Sequence, residues 1–436
     1  MACILHLPDE ILQQILNRAA RDRESPVRRG SIEHDPEILM TLAVTCRRFS
    51  RIALPLLYRS ISFTLDPPAK HLQKLQAVLA SSHLLRYHCR TLRIRVTDIW
   101  PLPDEYFPLM NDLICSLPHV QSLVFNGGYG TNPEEMWTMV RLASENMPHA
   151  RSLSLSRVCD GLHVRDILEH VDFPSLQTLD LHGIYRPENA PEAEDILDPK
   201  KHRTAMFTSL SFSDYEESPK VTEQLLNWPK ALVHFRFASF YNNPFYMDLP
   251  MFGTWLSIHR ETLRSIDIGY LSSDGAGRLF GATAFPKLEV LTLSPHQLGA
   301  WRSRTASEWR VSPAADADCL LAPRLHTFGL DFSIYDQHSE AWTDFGDAEE
   351  RWVREFAKVA VARKAALRKI MITFTPEPWG LSREDGYPWD RMDQICEDLR
   401  PHGLVLEYNE PVLTKDEWRK KFEAVPGPTL DIHREY

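Results

Sequence analysis

The segment Pro174-Ser175-Leu176-Gln177-Thr178-Leu179-Asp180-Leu181-His182 decides the fold, because its pattern recurs along the chain. The unit is an apolar residue, two variable residues, a second apolar residue, one variable residue and a third apolar residue. Ten copies occur at spacings of 25 to 42 residues, with the last two apolar residues at 92 and 94, 123 and 125, 153 and 155, 179 and 181, 210 and 212, 235 and 237, 266 and 268, 291 and 293, 328 and 330, and 370 and 372. A candidate eleventh copy ends at Leu404 and Leu406. Such self-similarity is typical of solenoid proteins.

Within each unit the apolar residues alternate with small or charged ones. Alternate residues of a strand point to opposite faces, so one face of the predicted sheet is apolar and the other polar. A parallel sheet covered by helices on both faces has continuous apolar strands instead. We therefore expect one solvated face, and we predict target-binding residues on it at Ser154, Asp180, His182, Ser211, Arg236, Asp267 and Asp331.

Helical patterns lie between the strands, with apolar residues at three- and four-residue spacing. They occupy residues 71–87, 133–146, 162–171, 251–261, 347–366 and 390–400. The predicted fold is an α/β solenoid, a curved parallel sheet with helices on its convex side. A pair of ordinary doubly wound α/β domains is the alternative.

This pattern resembles the leucine-rich repeat family from about Cys89 to Tyr408. The asparagine or cysteine that the family carries three residues beyond the last apolar position is mostly missing. Ile184, Phe240 and His296 occupy that position in three repeats. We therefore expect a leucine-rich-repeat-like solenoid with irregular turns over residues 64–408, followed by a capping helix near residues 415–424 and a tail within 409–436.

Residues 1–63 lack the repeat. A helix is predicted from Pro8, with acids in its first turn and apolar residues at 8, 11, 12, 15 and 16. A polar stretch, Arg21 to Asp35, precedes a second apolar stripe from Ile38 to Ala53 and the closing Pro55-Leu56-Leu57-Tyr58.

The string Leu-Pro-x-Glu-Ile-Leu-x-x-Ile-Leu, followed by Leu-x-Val-x-Cys-Arg-Arg-Phe and Ala-x-Pro-Leu-Leu-Tyr, resembles an F-box, particularly its fungal form. The resemblance implies a small all-α segment that docks onto the Skp-family adaptor of a cullin ubiquitin ligase. The matching adaptor-binding positions are Leu7, Pro8, Ile11, Leu12, Ile15, Leu42, Cys46 and Phe49. The gap at Arg21 to Asp35 is longer than the family norm. A simple cap on the end of the solenoid is the alternative.

Composition narrows the function classes. The net charge of -10 over 436 residues argues against nucleic-acid binding, which needs a concentrated basic face. Seven cysteines without a C-x-x-C pair favour a reducing compartment, and no apolar run is long enough to span a membrane. We expect a cytoplasmic or nuclear protein that binds neither nucleic acid nor membrane.

Motifs for catalysis are missing: the chain has no G-x-S-x-G, H-E-x-x-H or P-loop sequence. We predict no catalytic residue, no metal site, no cofactor and no enzymatic activity. Long connections at residues 298–322 and 335–347 contain Trp301, Trp309 and Trp342, which either form a binding rim or pack between repeats. The acidic segment 187–198 is predicted to be an exposed insertion.

Three hypotheses follow. The first is a substrate receptor of a cullin-type SCF ubiquitin ligase, which binds the adaptor through residues 1–63 and a target protein through the repeat surface. The second is a leucine-rich-repeat scaffold that acts outside a ligase. The third is an enzyme on an α/β fold, which a deep pocket with converging titratable groups would favour.

Overall fold

The computed structural model describes residues 7–19, 36–65, 70–96, 106–127, 133–157, 161–186, 196–238, 246–271, 279–298, 313–333, 342–376 and 386–423. These residues form twelve β-strands and fourteen α-helices. The chain divides into two compact units, Met1–Ser209 and Leu210–Tyr436. The division falls inside the range predicted for a single solenoid.

The first unit begins with three helices, α1 (Asp9–Ala19), α2 (Pro36–Thr45) and α3 (Arg47–Leu57). Both α1 and α2 contact α3. Their shared core consists of Leu12, Leu16, Leu39, Phe49, Ile52, Ala53 and Leu56. The small all-α segment predicted from the sequence is therefore present, and its core is separate from the repeats that follow.

Five parallel strands of the first unit follow in chain order. They are β1 (Ser60–Leu65), β2 (Thr91–Val96), β3 (Ser122–Gly127), β4 (Ser152–Ser156) and β5 (Thr178–Tyr185). The connecting helices are α4 (Lys70–Ser81), α5 (His83–His88), α6 (Tyr106–Cys115), α7 (Pro133–Asn146) and α8 (Val164–His170).

The second unit repeats the same plan. Its strands are β6 (Ser209–Glu216), β7 (His234–Ala238), β8 (Ser265–Ile268), β9 (Val290–Leu293), β10 (Thr327–Asp331), β11 (Lys369–Thr373) and β12 (Val405–Tyr408), and β7 to β12 pair in parallel and in order. Its helices are α9 (Pro219–Asn227), α10 (Leu249–Leu256), α11 (Pro313–Leu320), α12 (Asp347–Ala362), α13 (Pro388–Leu399) and α14 (Lys415–Glu423).

The predicted single-sided packing is confirmed. In β4, Leu153 and Leu155 are fully buried, whereas the serines between and beside them keep part of their surface exposed. On the covered side of the second unit, Phe328 packs against Trp352 and Phe356 of α12, with ring centroids 5.9 and 4.9 Å apart. Each buried side chain of this size contributes roughly 1.5 to 3 kcal/mol relative to exposure.

All eleven repeat segments predicted from the sequence form strands, β2 to β12. Sequence analysis does not predict β1, which pairs residue for residue with β2 from Ser60 to Leu65. The predicted domain boundary at residue 63 therefore lies within a strand. Helices α6 and α9 are not among the helical patterns named from the sequence, and α11 lies in the long connection 298–322.

Main-chain hydrogen bonds join the amino ends of neighbouring strands. The carbonyl oxygen of Arg90 accepts the N–H groups of both Gln121 and Ser122, at 2.8 and 2.9 Å. The residue preceding the strand repeats this double acceptance at Arg59, Gln121, Arg151, Gln177, Val233, Arg264, Glu289 and His326, with distances of 2.7 to 3.1 Å. A buried backbone group needs a partner, and this ladder supplies one without side chains.

The turns after the strands are irregular, as expected. Ile184 is buried inside the long strand β5, beyond Gly183, whose φ of 78° lies in the left-handed region. A Cβ at Gly183 would lie 1.7 Å from the carbonyl oxygen of Arg157, so only glycine fits. His296 lies in a buried 3-10 turn, and Phe240 is outside the described residues.

A second glycine is required by its cross-strand neighbour. Gly329 in β10 lies opposite Thr292 in β9, and a Cβ at position 329 would lie 2.6 Å from the hydroxyl oxygen of that threonine. Threonine is β-branched and short, so it cannot move aside without changing rotamer. Gly329→Ala should lower the free energy of unfolding by about 1 to 3 kcal/mol.

Chemical denaturation of Gly329→Ala, Gly329→Ala/Thr292→Ala and Gly269→Ala measures this effect. The double variant should recover most of the loss, because the obstructing side chain is removed. Gly269→Ala is the matched control, since a Cβ there meets its nearest atom at 3.4 Å. Equal stabilities of Gly329→Ala and Gly269→Ala would contradict the prediction.

Candidate functional site: two interaction surfaces

An apolar stripe lies on the exposed surface of α1, beside the exposed polar residues Glu10, Gln13, Gln14 and Arg18. Pro8, Ile11 and Ile15 are spaced three and four residues apart and lie on one side of the helix. All three are exposed, and Ile11 keeps 41% of its surface accessible. Three predicted adaptor-binding residues are thus available to a partner.

Exposed apolar residues also occur on α2, at positions other than the predicted adaptor-binding residue Leu42. Met40 and Val44, four residues apart, are 50% and 85% exposed, and Ile38 is exposed as well. Seven of the ten residues of α2 are apolar, counting Pro36, Ile38, Leu39, Met40, Leu42, Ala43 and Val44. A helix that is apolar around most of its circumference buries two faces, so a partner for the second face is expected. The apolar composition of α2 is the feature of the sequence that could have predicted this second exposed surface.

The other predicted adaptor-binding residues do not face outward. Leu12 and Phe49 belong to the core of the three helices, where they are 0% and 8% exposed, and their contact with an adaptor stays a prediction. Leu7, Leu42 and Cys46 are half-buried and pack against the same core. Cys46 is also the N-cap of α3, because its sulfur accepts the N–H of Phe49 at 3.4 Å.

An ion-pair cluster holds the start of α1 against α3. Asp9 accepts a hydrogen bond from Nε of Arg48 at 2.8 Å and pairs with the Arg51 guanidinium, while Arg48 also donates to the carbonyl oxygen of Leu7. The Arg48 hydrogen bond, with help from the charge of Arg51, lowers the pKa of Asp9 below its usual 3.8. The cluster therefore fixes where the exposed stripe of α1 is presented.

Neutralising Asp9 should destabilise the helical segment in a pH-dependent way. A carboxyl group whose folded pKa is lowered stabilises the fold above its unfolded pKa and loses that contribution as the pH falls through the folded pKa. Asp9→Asn should therefore unfold more easily than wild type near pH 7, and the difference should close below about pH 4.

Thermal unfolding from pH 3 to pH 7, followed by circular dichroism, measures this difference. Glu10→Gln is the matched control, because Glu10 is the adjacent acid and is exposed. A gap between Asp9→Asn and wild type that stays constant down to pH 3, or an equal gap for Glu10→Gln, would refute the ion-pair account.

The polar strand face of the first unit has three rows of residues in register. The first row carries only hydroxyl side chains. The second row includes Ser154 and Asp180, and the third row includes Ser156 and His182. Their full sets are Ser60, Thr91, Ser122, Ser152 and Thr178; Ser62, Arg93, Val124, Ser154 and Asp180; and Thr64, Arg95, Asn126, Ser156 and His182. The hydroxyl of Ser154 donates to Asp180 at 3.2 Å, so these two predicted residues act together.

The strand face of the second unit carries charges that pair with each other. Arg236 and Asp267, on neighbouring strands, lie 3.3 Å apart, and Lys369 and Glu407 lie 2.8 Å apart. Asp331 accepts the N–H of Ser333 at 3.0 Å, and Ser211 is half-buried. All seven predicted target-binding residues therefore lie on strand faces with part of their surface exposed.

Several large pKa shifts belong to buried groups that lie on neither surface. Burial raises the pKa of the Cys89 thiol to about 12 and lowers the pKa of His296 to about 4. Burial also raises the pKa of Tyr215, whose hydroxyl lies 2.7 Å from that of Thr222. Among the described residues, no group of three or more His, Cys, Asp or Glu side chains is arranged to hold a metal ion.

Across the same described ranges, no helix is both long and apolar enough to cross a membrane. Trp342, one of the three tryptophans of the long connections, is buried and packs against Trp389 with ring centroids 5.6 Å apart. Trp301, Trp309, the gap 21–35 and most of the acidic insertion are outside the described residues.

Comparison with known proteins bears directly on the helical segment. Residues 4–64 match the family model described as F-box-like. The F-box-like segment thus comprises α1 to α3 and ends within β1. No curated protein matches the chain. A chain in the crystal structure of the yeast Rad7 and Elc1 complex is 13% identical, with a TM-score of 0.39, over 91% of this chain and 92% of that one.

Proposed function

We propose that this chain is the substrate receptor of a cullin-type SCF ubiquitin ligase. The F-box-like segment docks onto a Skp-family adaptor on the cullin scaffold, and the strand faces hold a target protein. The observation that carries the proposal is the pair of exposed apolar stripes on an F-box-like segment whose own core is complete without them. We further propose that the repeats are irregular leucine-rich repeats of the fungal F-box type.

The docking surface in this proposal consists of Pro8, Ile11 and Ile15 on α1 and Ile38, Met40 and Val44 on α2. Full burial of such a side chain is worth roughly 1.5 to 3 kcal/mol, and several of them together can exceed the cost of association. Leu12 and Phe49 support this surface from beneath, since they position the two helices through the core.

The target-binding surface consists of the strand-face residues Ser154, Asp180, His182, Ser211, Arg236, Asp267 and Asp331. Hydroxyl, carboxylate and guanidinium groups there supply directional hydrogen bonds to a polar protein surface. The receptor transfers nothing itself and is not an enzyme. It raises the local concentration of its target beside the ubiquitin-carrying subunit, a proximity effect. We place this activity in the cytoplasm, the nucleus or both.

Adaptor binding tests the first half of the proposal. The affinity of the purified full chain for a Skp-family adaptor is measured for wild type, Ile11→Ser/Ile15→Ser, Met40→Ser/Val44→Ser and Leu84→Ser. Each double variant should weaken binding at least about tenfold, which corresponds to 1.4 kcal/mol. Leu84 is the matched control, because it is 73% exposed but lies on α5.

Unchanged melting temperatures would show that the double variants remain folded, as expected for substitutions at exposed positions. Undiminished adaptor binding by both double variants would refute the proposed docking surface. Failure of the wild-type chain to bind any Skp-family adaptor at micromolar concentration would instead favour a scaffold that acts outside a ligase.

The target surface is tested by charge reversal. Ser154→Arg/Asp180→Arg removes the Ser154–Asp180 hydrogen bond and reverses the local charge. Adaptor binding should stay unchanged, whereas proteins ubiquitinated in the presence of wild type should lose modification. Glu169→Arg, on the exposed side of α8, is the control. Identical ubiquitination profiles for all three chains, measured by quantitative mass spectrometry, would exclude this part of the strand face.

A further inference from the structure

We propose that the amino ends of the first unit's strands form a docking strip for an acidic peptide segment. The strip, called here the amino-end strip, consists of Arg59, Arg90 and Arg151 together with the rings of Tyr87, His119 and His149. It is separate from the adaptor-docking and strand-face surfaces and does not depend on the proposed function.

The carbonyl ladder brings the arginines into line. The N–H of Arg90 binds the carbonyl oxygen of Arg59 at 2.8 Å, Gln121 binds Arg90 in the same way, and Arg151 binds Gln121. Neighbouring strands are about 4.8 Å apart, so Arg90 and Arg151 are separated by about 10 Å. Three of four consecutive positions along this line are therefore cationic.

Each of three buried residues near the starts of the strands is flanked by residues that point outward. Cys89, Val120 and Ala150 are fully buried, and each has an outward residue on both sides. His149 and Arg151 flank Ala150, and both are exposed. A histidine and an arginine flank the buried residue in two of these repeats, as His88 with Arg90 and His149 with Arg151, whereas the repeat between them has His119 and Gln121.

Stacked rings run beside the arginines. The centroids of Tyr87 and His119 lie 4.6 Å apart, and those of His119 and His149 lie 5.8 Å apart with nearly parallel planes. Tyr87 is 53% exposed although it is a large aromatic residue. Together the rings and arginines make a surface of flat, nitrogen-rich groups.

The cations of the strip are not neutralised by carboxylates in the described part of the chain. The guanidinium of Arg90 donates only to carbonyl oxygens, those of Tyr87, Cys89 and His119, at 2.6, 3.1 and 3.4 Å. Arg59 and Arg151 form no ion pair among the described residues. Desolvation, together with the charges of Arg90 and His149, lowers the pKa of His119.

The second unit gives an internal comparison at the same position of the repeat. There Arg264 is followed in the ladder by Glu289, and the two side chains form an ion pair at 3.3 Å. A helix dipole does not account for the position of Arg151, because the dipole effect is confined to the last turn of a helix. Arg151 lies five residues beyond the end of α7 at Asn146.

An acidic segment fits this chemistry. Guanidinium groups bind carboxylate or phosphate oxygens through paired hydrogen bonds, and an anion also stabilises protonated imidazole. Side chains on one face of an extended peptide are about 6.7 Å apart, so acids two or three residues apart span the gap between Arg90 and Arg151.

Peptide binding by the full chain tests the proposal. Three fluorescein-labelled eight-residue peptides are compared at low salt, and they carry three glutamates, three phosphoserines or three glutamines in the same frame. The acidic peptides should bind and the glutamine peptide should not. The stronger of the two acidic peptides identifies carboxylate or phosphate as the preferred group.

Variants localise the binding. Arg59→Gln/Arg151→Gln should weaken acidic-peptide binding at least about tenfold, the effect of 1.4 kcal/mol. Arg260→Gln/Arg264→Gln removes the same charge from the second unit and should change the affinity less than about twofold, since screened exposed charges act only locally.

Nuclear magnetic resonance titration distinguishes direct binding of the peptide to the strip from a purely structural effect of the arginine substitutions. Saturating acidic peptide should raise the pKa of His119, because a bound anion favours imidazolium. Absence of acidic-peptide binding, equal binding by the two arginine variants, or an unchanged His119 pKa at saturation would each overturn the proposal. Failure of adaptor docking by wild type would leave these results unaffected.

Discussion

In-register pairing of short parallel strands is the constraint on which the rest of this structure depends. At nine described strands the carbonyl oxygen that precedes the strand accepts two N–H groups from the next repeat, so the register of one strand is set by its predecessor. A slip of one residue would turn Leu153 and Leu155 to solvent and bury the serines beside them. That exchange would expose several leucine side chains that are now buried. The register therefore determines both which residues form the polar face and which form the covered face.

The helical segment at the start of the chain shows how one apolar pattern serves two purposes. Leu12 and Leu16 complete a core with α3, while Ile11 and Ile15, one residue earlier in each turn, remain exposed. The ion pairs between Asp9 and α3 hold α1 in the orientation that makes this distinction. A surface suited to a partner therefore exists without weakening the segment's own core.

Charge is arranged differently on the surfaces of the two units. The second unit pairs Arg236 with Asp267, Lys369 with Glu407 and Arg264 with Glu289, so much of its strand-face charge is compensated locally. The amino-end strip of the first unit has glutamine or arginine where the second unit has Glu289. Exposed ion pairs contribute little to stability, so the uncompensated arginines cost the fold little and remain available to an anionic partner.

The repeat, its polar face and the F-box-like segment are all evident from the sequence alone. Alternation and helical spacing are local patterns, and each copy must keep them to bury its apolar residues. The sequence did not reveal β1, although Tyr58, Ile61 and Phe63 fit the spacing of the repeat, because Tyr58 also closes the F-box-like string. The tertiary structure was needed to show that Leu12 and Phe49 are core residues and that Met40 and Val44 are exposed. It was also needed to show that Arg90, His119 and His149 lie along one strip. Each of these findings depends on which neighbouring element packs over a side chain, and the residues of that element are distant in the sequence.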